Sequence, residues 1–388
     1  MTTSTIRQTD LSISHSQKKS ISKTCAEYFA GIGLVRLGLE GAGWDIVYAN
    51  DWADDKFDMY SAYFKDASSH YEIKSVFEIC HSNVPASLLA TASFPCIDLS
   101  LAGNLEGIHG KHSSAFWGFF EILKRQKERP PIVMLENVAG WLTSNKGKDF
   151  RVTLKSLNEL GYACDVFAIN ASYFVPQSRL RVFVIGTQTS TPDNNIMTLA
   201  RRSKSLTTKA LSSAIASNSD LVWNFLEVPP LPDNSTPSLN DIVEAIENDD
   251  ERWWKEVEVA RHLNMMTPIN IAHLEALKNQ SSYSYRTMYR RVRNGQQRAE
   301  LRKDEIAGCL RTAKGGSSRQ MLVKAGKGKI KMRVMTPREY ARLQGVPDDY
   351  PLPDRINQAL TGFGDAVCVP VITWIAQNIL NPLSVNFS

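Results

Sequence analysis

The chain has 388 residues, 43% of them hydrophobic and 22% charged, with a formal net charge of +5; this suits one large or two modest domains and excludes a stapled miniprotein. No uninterrupted apolar run reaches the roughly 18 residues of a membrane-spanning helix, which excludes a helical span. Cys25, Cys80, Cys96, Cys164, Cys309 and Cys368 include no Cys-x-x-Cys pair, which argues against a disulfide framework or a cysteine zinc site and for a reducing compartment.

Residues 1–23 hold ten Ser/Thr and few large apolar side chains, and read as a flexible tail. From Thr24 short apolar runs alternate with amphipathic stretches. Strands are expected at Cys25–Phe29, Ile46–Ala49, Leu88–Ala92, Ile132–Leu135, Ala163–Ile169 and Val182–Gly186, with helices near 34–42, 116–127 and 150–160. This alternation predicts an α/β domain, a parallel sheet covered on both faces, over 24–187. From 188 the alternation gives way to Pro, Ser, Asn and charge, so 188–344 reads as a smaller inserted domain. Regularity returns near Met335, and 345–388, closing with a helix over Val367–Leu380, returns to the first domain.

The charge is unevenly placed. From Ser281 to Arg333 there are fifteen Lys/Arg and three acids, a local net charge of +12 that leaves −7 for the rest. Tyr283, Tyr285 and Tyr289 lie at its start and glycines interrupt it, as in a face built for a polyanion. The plain alternative is a solvated surface.

Glu27-Tyr28-Phe29-Ala30-Gly31-Ile32-Gly33 follows the first strand and opens a helix, where glycines permit a tight turn and close approach of a ligand. Asp51, twenty residues after Gly31, ends the second strand, where an acid accepts from ribose hydroxyls. Trp52 beside it could pack on an adenine ring. The third glycine of a dinucleotide fingerprint is replaced by Arg36; a nucleoside without phosphates, such as S-adenosylmethionine, does not need it. A purely structural turn is the competing reading.

Three further segments lie at strand ends on the ligand side: Ser93-Phe94-Pro95-Cys96, Glu136-Asn137-Val138 and Pro176-Gln177-Ser178-Arg179-Leu180-Arg181. Singly, each suits a buried thiol, a surface acid or a solvated Arg pair. Together they offer a nucleophile, a carboxyl group and paired cations.

On these residues the chain resembles the DNA (cytosine-5) methyltransferase family. Phe29 to Gly33 match its cofactor loop, Phe94-Pro95-Cys96 with Ser100 its nucleophile motif, Glu136-Asn137-Val138 its acid motif and Gln177-x-Arg179-x-Arg181 its paired arginines. The stretch Arg333 to Asp348 matches the segment after the recognition region, and Gly364-Asp365-Ala366-Val367 the last motif. Two departures stand out: Asp365 replaces the usual Asn, and the acid facing adenine, usually Asp, aligns with Glu72 before Ile73.

The resemblance implies a Rossmann-like S-adenosylmethionine-dependent sheet with an inserted target-recognition domain. It implies Cys96 as nucleophile toward cytosine C6, Glu136 as the acid on N3 and the exocyclic amine, Arg181 on O2 and Arg179 supporting it. Phe29, Gly31, Gly33, Asp51, Trp52, Glu72, Ile73, Pro95, Asp365, Ala366 and Val367 are the implied cofactor contacts. Arg290, Arg291, Arg293, Arg311, Lys314, Gly315 and Gly316 are the candidate contacts to double-stranded DNA, which is read after the target base is flipped out. The implied protein is a cytoplasmic monomer without a metal or membrane partner, the modification enzyme of a restriction-modification system whose endonuclease acts separately. His109 and His112 are too few ligands for zinc. The rivals are a tRNA cytosine-5 methyltransferase, whose Cys-Phe-Thr tripeptide is absent here, and a catalytically silent DNA-binding homologue.

Overall fold

The computed structural model describes residues 23–95, 115–232, 237–312 and 319–387. The first half runs β1 (Thr24–Tyr28), α1 (Leu34–Glu40), β2 (Asp45–Asp51), α2 (Asp54–Tyr63), β3 (Tyr71–Ile73), β4 (Leu89–Ala92), α3 (Ala115–Arg125), β5 (Ile132–Val138), α4 (Lys148–Glu159), β6 (Tyr162–Asn170) and β7 (Leu180–Gln188). These strands form one sheet in the order β3-β2-β1-β4-β5-β7-β6. The expected all-parallel arrangement is corrected at β7, which runs antiparallel to both β5 and β6. Only nine residues join β6 to β7, too few for the crossover that a parallel neighbour requires.

Side chains alternate between two cores, as a strand's period of two dictates. Cys25, Leu89, Ile132 and Met134 point into one, where α1, α2 and the C-terminal helices cover the sheet. Ala26, Tyr28, Ala90, Val133 and Leu135 point into the other, under α3 and α4.

The second half contains α5 (Ile196–Arg201), α6 (Lys209–Ala216), α7 (Leu239–Ile242), α8 (Glu256–Asn264), α9 (Pro268–Lys278), β8 (Ser284–Arg293), β9 (Gln296–Leu301), β10 (Met321–Gly326) and β11 (Lys329–Val334). It ends in α10 (Pro337–Leu343), α11 (Ile356–Asp365), α12 (Val369–Ile375) and α13 (Asn381–Ser384). The stretch 188–344 divides between two kinds of packing. Leu206, Leu231, Ile242 and Trp253 join the first core, and Leu211, Ile215, Trp223 and Phe225 the second. A separate third core packs Met266, Leu274 and Leu277 against Met288, Leu301, Met321, Val323 and Met332 of an antiparallel sheet ordered β11-β10-β8-β9. Composition does not mark that change, because loops on either side of it are equally rich in polar residues.

Two buried ion pairs tie these parts together. Arg202 pairs with Asp165 of β6 through two bonds of 2.7 and 3.0 Å, and Arg333 of β11 pairs with Glu339 of α10. Burial raises the Asp165 carboxyl, and Arg202 opposes it. The C-terminal helices close on α1: a Cβ on Gly38 would lie 2.6 Å from Ile372 Cβ, and Trp44 Nε1 donates to Asn381 at 2.8 Å. Ile356–Phe387 is long and apolar enough to cross a bilayer, but 72% of its most apolar window is buried inside the protein, as for a core helix.

Candidate active site

The strand order reverses between β1 and β4, so their C-terminal ends open the crevice where such sheets bind ligands. The β1–α1 loop adopts left-handed backbone at Phe29 (φ 58°), Gly31 (φ 56°) and Gly33 (φ 83°). At Gly33 a Cβ would lie 2.5 Å from the Phe64 ring and 2.8 Å from Tyr60, so glycine is required for space as well as torsion. Phe29 has no such licence, and strain of this kind gathers at ligand sites.

Asp51, buried at the end of β2, accepts from the N–H of Gly31 at 3.0 Å and of Ala53 at 3.2 Å. Each carboxylate oxygen keeps a further lone pair for a ligand hydroxyl. Trp52 beside it is 72% exposed, an open aromatic platform. Glu72 of β3 accepts from Tyr48 at 2.8 Å and pairs with Lys74. Burial works to raise its carboxyl, but those two donors outweigh it and hold it below the usual carboxylate range. Ile73 is exposed next to it. Arg36, at the lost third glycine, turns away from the loop mouth to Asp66 (2.9 Å), Glu40 (2.7 Å) and Tyr60 (3.1 Å).

Glu27, one strand position before Tyr28, is fully buried and neither of its carboxyl oxygens has a hydrogen-bond partner. Burial pushes it up to about 8 against the opposing pull of Arg36.

Across the crevice, Glu136 at the end of β5 and Arg181 at the start of β7 are diagonal neighbours on one face, since Val138 pairs with Arg181. Arg181 Nε meets Glu136 Oε1 at 3.0 Å, and both are largely buried. Asn137 donates to the carbonyl of Phe94 at 3.1 Å, and the Phe94 ring packs edge-on against Trp141. The acid motif thereby anchors the chain two residues before Cys96. Pro95 is exposed; Cys96, His109, His112, Lys314, Gly315 and Gly316 lie outside the described residues.

Arg179 does not point into the pocket. Its buried guanidinium donates to the carbonyls of Leu310 (3.1 Å), Gly364 (3.4 Å) and Ala366 (2.5 Å), and burial together with Arg181 pushes its pKa down. Gln177, also buried, donates to Leu343 O and accepts from Leu310 N. Gln344 donates to Phe363 O and Ala366 O. Three side chains thus stitch the mouth of β7 to the segment before residue 313 and to the last motif.

Sequence reasoning gave no role of their own to Gln344, within the matched 333–348 stretch, to Thr312, within the recognition stretch, or to Cys309. Cys309 Sγ lies 3.4 Å from Arg179 Nη1 and 3.9 Å from Arg181 Nη2, so a second thiol borders the paired arginines. Asp365 is exposed, and its carboxylate accepts from Thr312 Oγ1 at 2.5 Å. Ala366 is half-buried and Val367 buried in the turn that follows.

The basic stretch forms the β8–β9 hairpin, turning at Asn294 (φ 51°) and Gly295 (φ 75°) as a type I′ turn favours. Arg291 and Arg293 are exposed, and both reach Glu300 across the hairpin, at 3.7 and 3.0 Å. Burial works to raise Glu300, but Tyr289 and the arginines hold it below its ordinary range. Arg290, on the opposite face of β8, is half-buried, whereas Arg311 is exposed. Among the described residues no group of three or more His, Cys, Asp or Glu is placed to hold a metal.

Residues 23–381 match the protein family described as C-5 cytosine-specific DNA methylase. The chain is 26% identical over 360 residues to the Type II methyltransferase M.Bsp6I of Bacillus sp. (strain RFL6), covering 91% of this chain and 97% of that one. Over 176 residues it is 39% identical to the Type II methyltransferase M.Sau3AI of Staphylococcus aureus, 41% of this chain and 42% of the relative. The solved structure of S. pombe Dnmt2 methyltransferase superposes with a TM-score of 0.59 at 16% identity, covering 93% of this chain and 98% of that chain, which shows the shared fold.

Proposed function

Because the chain belongs to the C-5 cytosine-specific DNA methylase family and is a DNA cytosine-5 methyltransferase, we propose that it methylates a flipped cytosine within a short duplex site through a covalent bond from Cys96. The observation that carries this reading is the Glu136–Arg181 pair at 3.0 Å, set beside the loop that Asn137 holds at Phe94.

S-adenosylmethionine, when bound, supplies an electrophilic methyl group. The residues present fit it: Phe29, Gly31 and Gly33 shape a backbone cradle, Asp51 offers acceptors to ribose hydroxyls, Trp52 a stacking face and Glu72 an anionic acceptor. Ile73, Pro95, Ala366 and Val367 line the same crevice.

Cytosine C5 is a weak nucleophile until a group adds at C6. Cys96 thiolate spends its electron pair on the C6–S bond, and the C5=C6 π pair it displaces moves through C4 toward N3. Glu136, in its protonated form, donates to N3 and accepts from the exocyclic amine, while Arg181 holds O2. C5 then takes the methyl group, a base or water removes the C5 proton, and the C6–S bond breaks to return Cys96. Arg179 positions these groups by fixing the backbone on which Arg181 stands. Removing the base from the stack costs a few kcal/mol, offset by phosphate contacts from Arg290, Arg291, Arg293 and Arg311 together with Lys314, Gly315 and Gly316 of the recognition segment. The enzyme acts as a cytoplasmic monomer, as the modification partner of a separate endonuclease.

Bisulfite sequencing of DNA from a host expressing the protein will reveal methylated cytosines in one short motif. Purified protein will transfer tritiated methyl groups to duplex DNA and not to tRNA; transfer to tRNA alone would replace this reading with the tRNA branch. Duplexes carrying 5-fluorocytosine at the site will trap the protein covalently, and equal trapping by Cys96→Ala would refute the nucleophile.

A further inference from the structure

We propose that Lys56 is a second holder of the cofactor's ribose, donating to a hydroxyl oxygen of the diol whose protons Asp51 accepts; this deepens the reading above and rests on it. Lys56 stands in the first turn of α2. A cation is out of place there, because the N-terminal end of a helix favours anions, and its neighbours Asp54 and Asp55 follow that rule. Helical side chains lean toward the N-terminus of their helix, which here is the end of β2. The Lys56 stem therefore runs back to the cofactor loop: its Cδ lies 3.9 Å from where a Cβ on Gly31 would be, and its Nζ lies 3.6 Å from Asp51 Oδ2.

That spacing decides what the amine is free to do. At 3.6 Å its contact with Asp51 is a charge interaction and not a hydrogen bond. Among the described residues Lys56 Nζ has no other polar partner. The three N–H donors of a lysine are thus all unused, on a side chain only 25% exposed that borders the crevice. Burying donors without acceptors is unfavourable, and a ligand oxygen placed beside Asp51 would relieve it.

The chemistry of a ribose diol asks for such a donor. Each hydroxyl has one proton to give and two lone pairs to fill. Asp51 Oδ2 already accepts from Gly31 N–H and Oδ1 from Ala53 N–H, which leaves one lone pair on each oxygen to take one proton of the diol. An ionised carboxylate can do no more, since it only accepts. The hydroxyl oxygens then need a donor, and Lys56 Nζ stands beside Asp51 without another commitment. Acid and amine together satisfy both halves of a hydroxyl, so a ligand with an intact diol is preferred over one that lacks either hydroxyl.

The test is calorimetric titration of the full chain with S-adenosylhomocysteine and with its 2′-deoxy and 3′-deoxy analogues, for the wild type and for Lys56→Met, which keeps an unbranched stem over Gly31 and removes the donors. Lys56→Met should weaken S-adenosylhomocysteine about tenfold, the scale of a hydrogen bond from a charged group. On the analogue that lacks the contacted hydroxyl, variant and wild type should agree within about twofold, because the two deletions remove the same bond. An equal loss on all three ligands would assign Lys56 to the shape of the loop or the charge of Asp51 and overturn the contact. Lys56→Met binding S-adenosylhomocysteine as tightly as the wild type does would overturn it too. A wild type that binds none of the three ligands would instead overturn the methyl-donor reading, and this contact with it.

Discussion

Around the seven-stranded sheet the polar side chains are sealed: Gln177, Arg179 and Gln344 hydrogen-bond the backbone in three segments, at Leu310, at Leu343 and over 363–366, and Asp165 and Arg202 bury a two-bond pair. In the four-stranded sheet Arg291 and Arg293 of the β8–β9 hairpin stand in solvent and share one acid, Glu300. Buried polar groups are costly to disturb because the partner left behind loses both its bond and its water. Exposed pairs are worth little and exchange partners easily. The first arrangement holds its groups in one geometry; the second leaves its cations free to exchange partners.

Breaking one member of each class should expose that contrast. Arg179→Ala removes the donor shared by three buried carbonyls, and a loss of about 3–5 kcal/mol in stability is expected by denaturant titration, with methyl transfer lost as Arg181 is displaced. A loss under about 1 kcal/mol would show that water replaces the guanidinium.

Glu27 sharpens the comparison, being a sealed acid whose carboxyl oxygens have no side-chain donor. Its carboxyl is raised to about 8 in the folded chain, so it releases its proton more readily when unfolded. Stability is therefore full below the unfolded value near 4.5 and falls as pH climbs toward 8. Glu27→Gln should match the wild type near pH 5 and exceed it by on the order of 3 kcal/mol at pH 8. Thermal melts across that range measure the difference, and a gap independent of pH would place the effect in packing.

The hairpin should respond more gently. Replacing Arg291 and Arg293 together by Ala should reduce the slope of log affinity against log salt by about 0.9 for each phosphate left unneutralised, with the melting temperature unchanged. An unaltered slope would make the hairpin an ordinary solvated face. Smallest of all, Glu300→Gln frees both arginines from a competing carboxylate, and about two- to fivefold tighter DNA binding is expected by fluorescence anisotropy, the scale of an exposed pair.

The alternation of apolar runs from Cys25 to Gly186 made six of the seven main-sheet strands legible, because strands buried on both faces read as continuous hydrophobic segments; the three-residue edge strand β3 carries no such run. The reversal of β7 was hidden, since direction depends on connection length rather than on the strand's own residues. Strands β8 to β11 were illegible for another reason: one face packs under α8 and α9 while the other carries Tyr, Lys and Arg, so charge masks the period. At the candidate site, Glu136, Arg181 and Asp51 were singled out through spacing and motif. Gln344 and Thr312 were not, because their roles come from contacts across 19 and 53 residues of chain, which no local pattern records. Arg179 was recognised as part of a pair, but only the structure shows its guanidinium turned toward backbone carbonyls.

The closure of the first core by α10 to α12 bears on how the protein is made. Its sheet and α1 leave the ribosome early, whereas the helices that cover this face, with Gly38 lying against Ile372, follow only after the whole insert. At ordinary synthesis rates the nascent chain carries an uncovered apolar face for on the order of ten to thirty seconds. Chaperones have their longest opportunity there, and truncation before residue 337 should yield an aggregating fragment rather than a smaller enzyme.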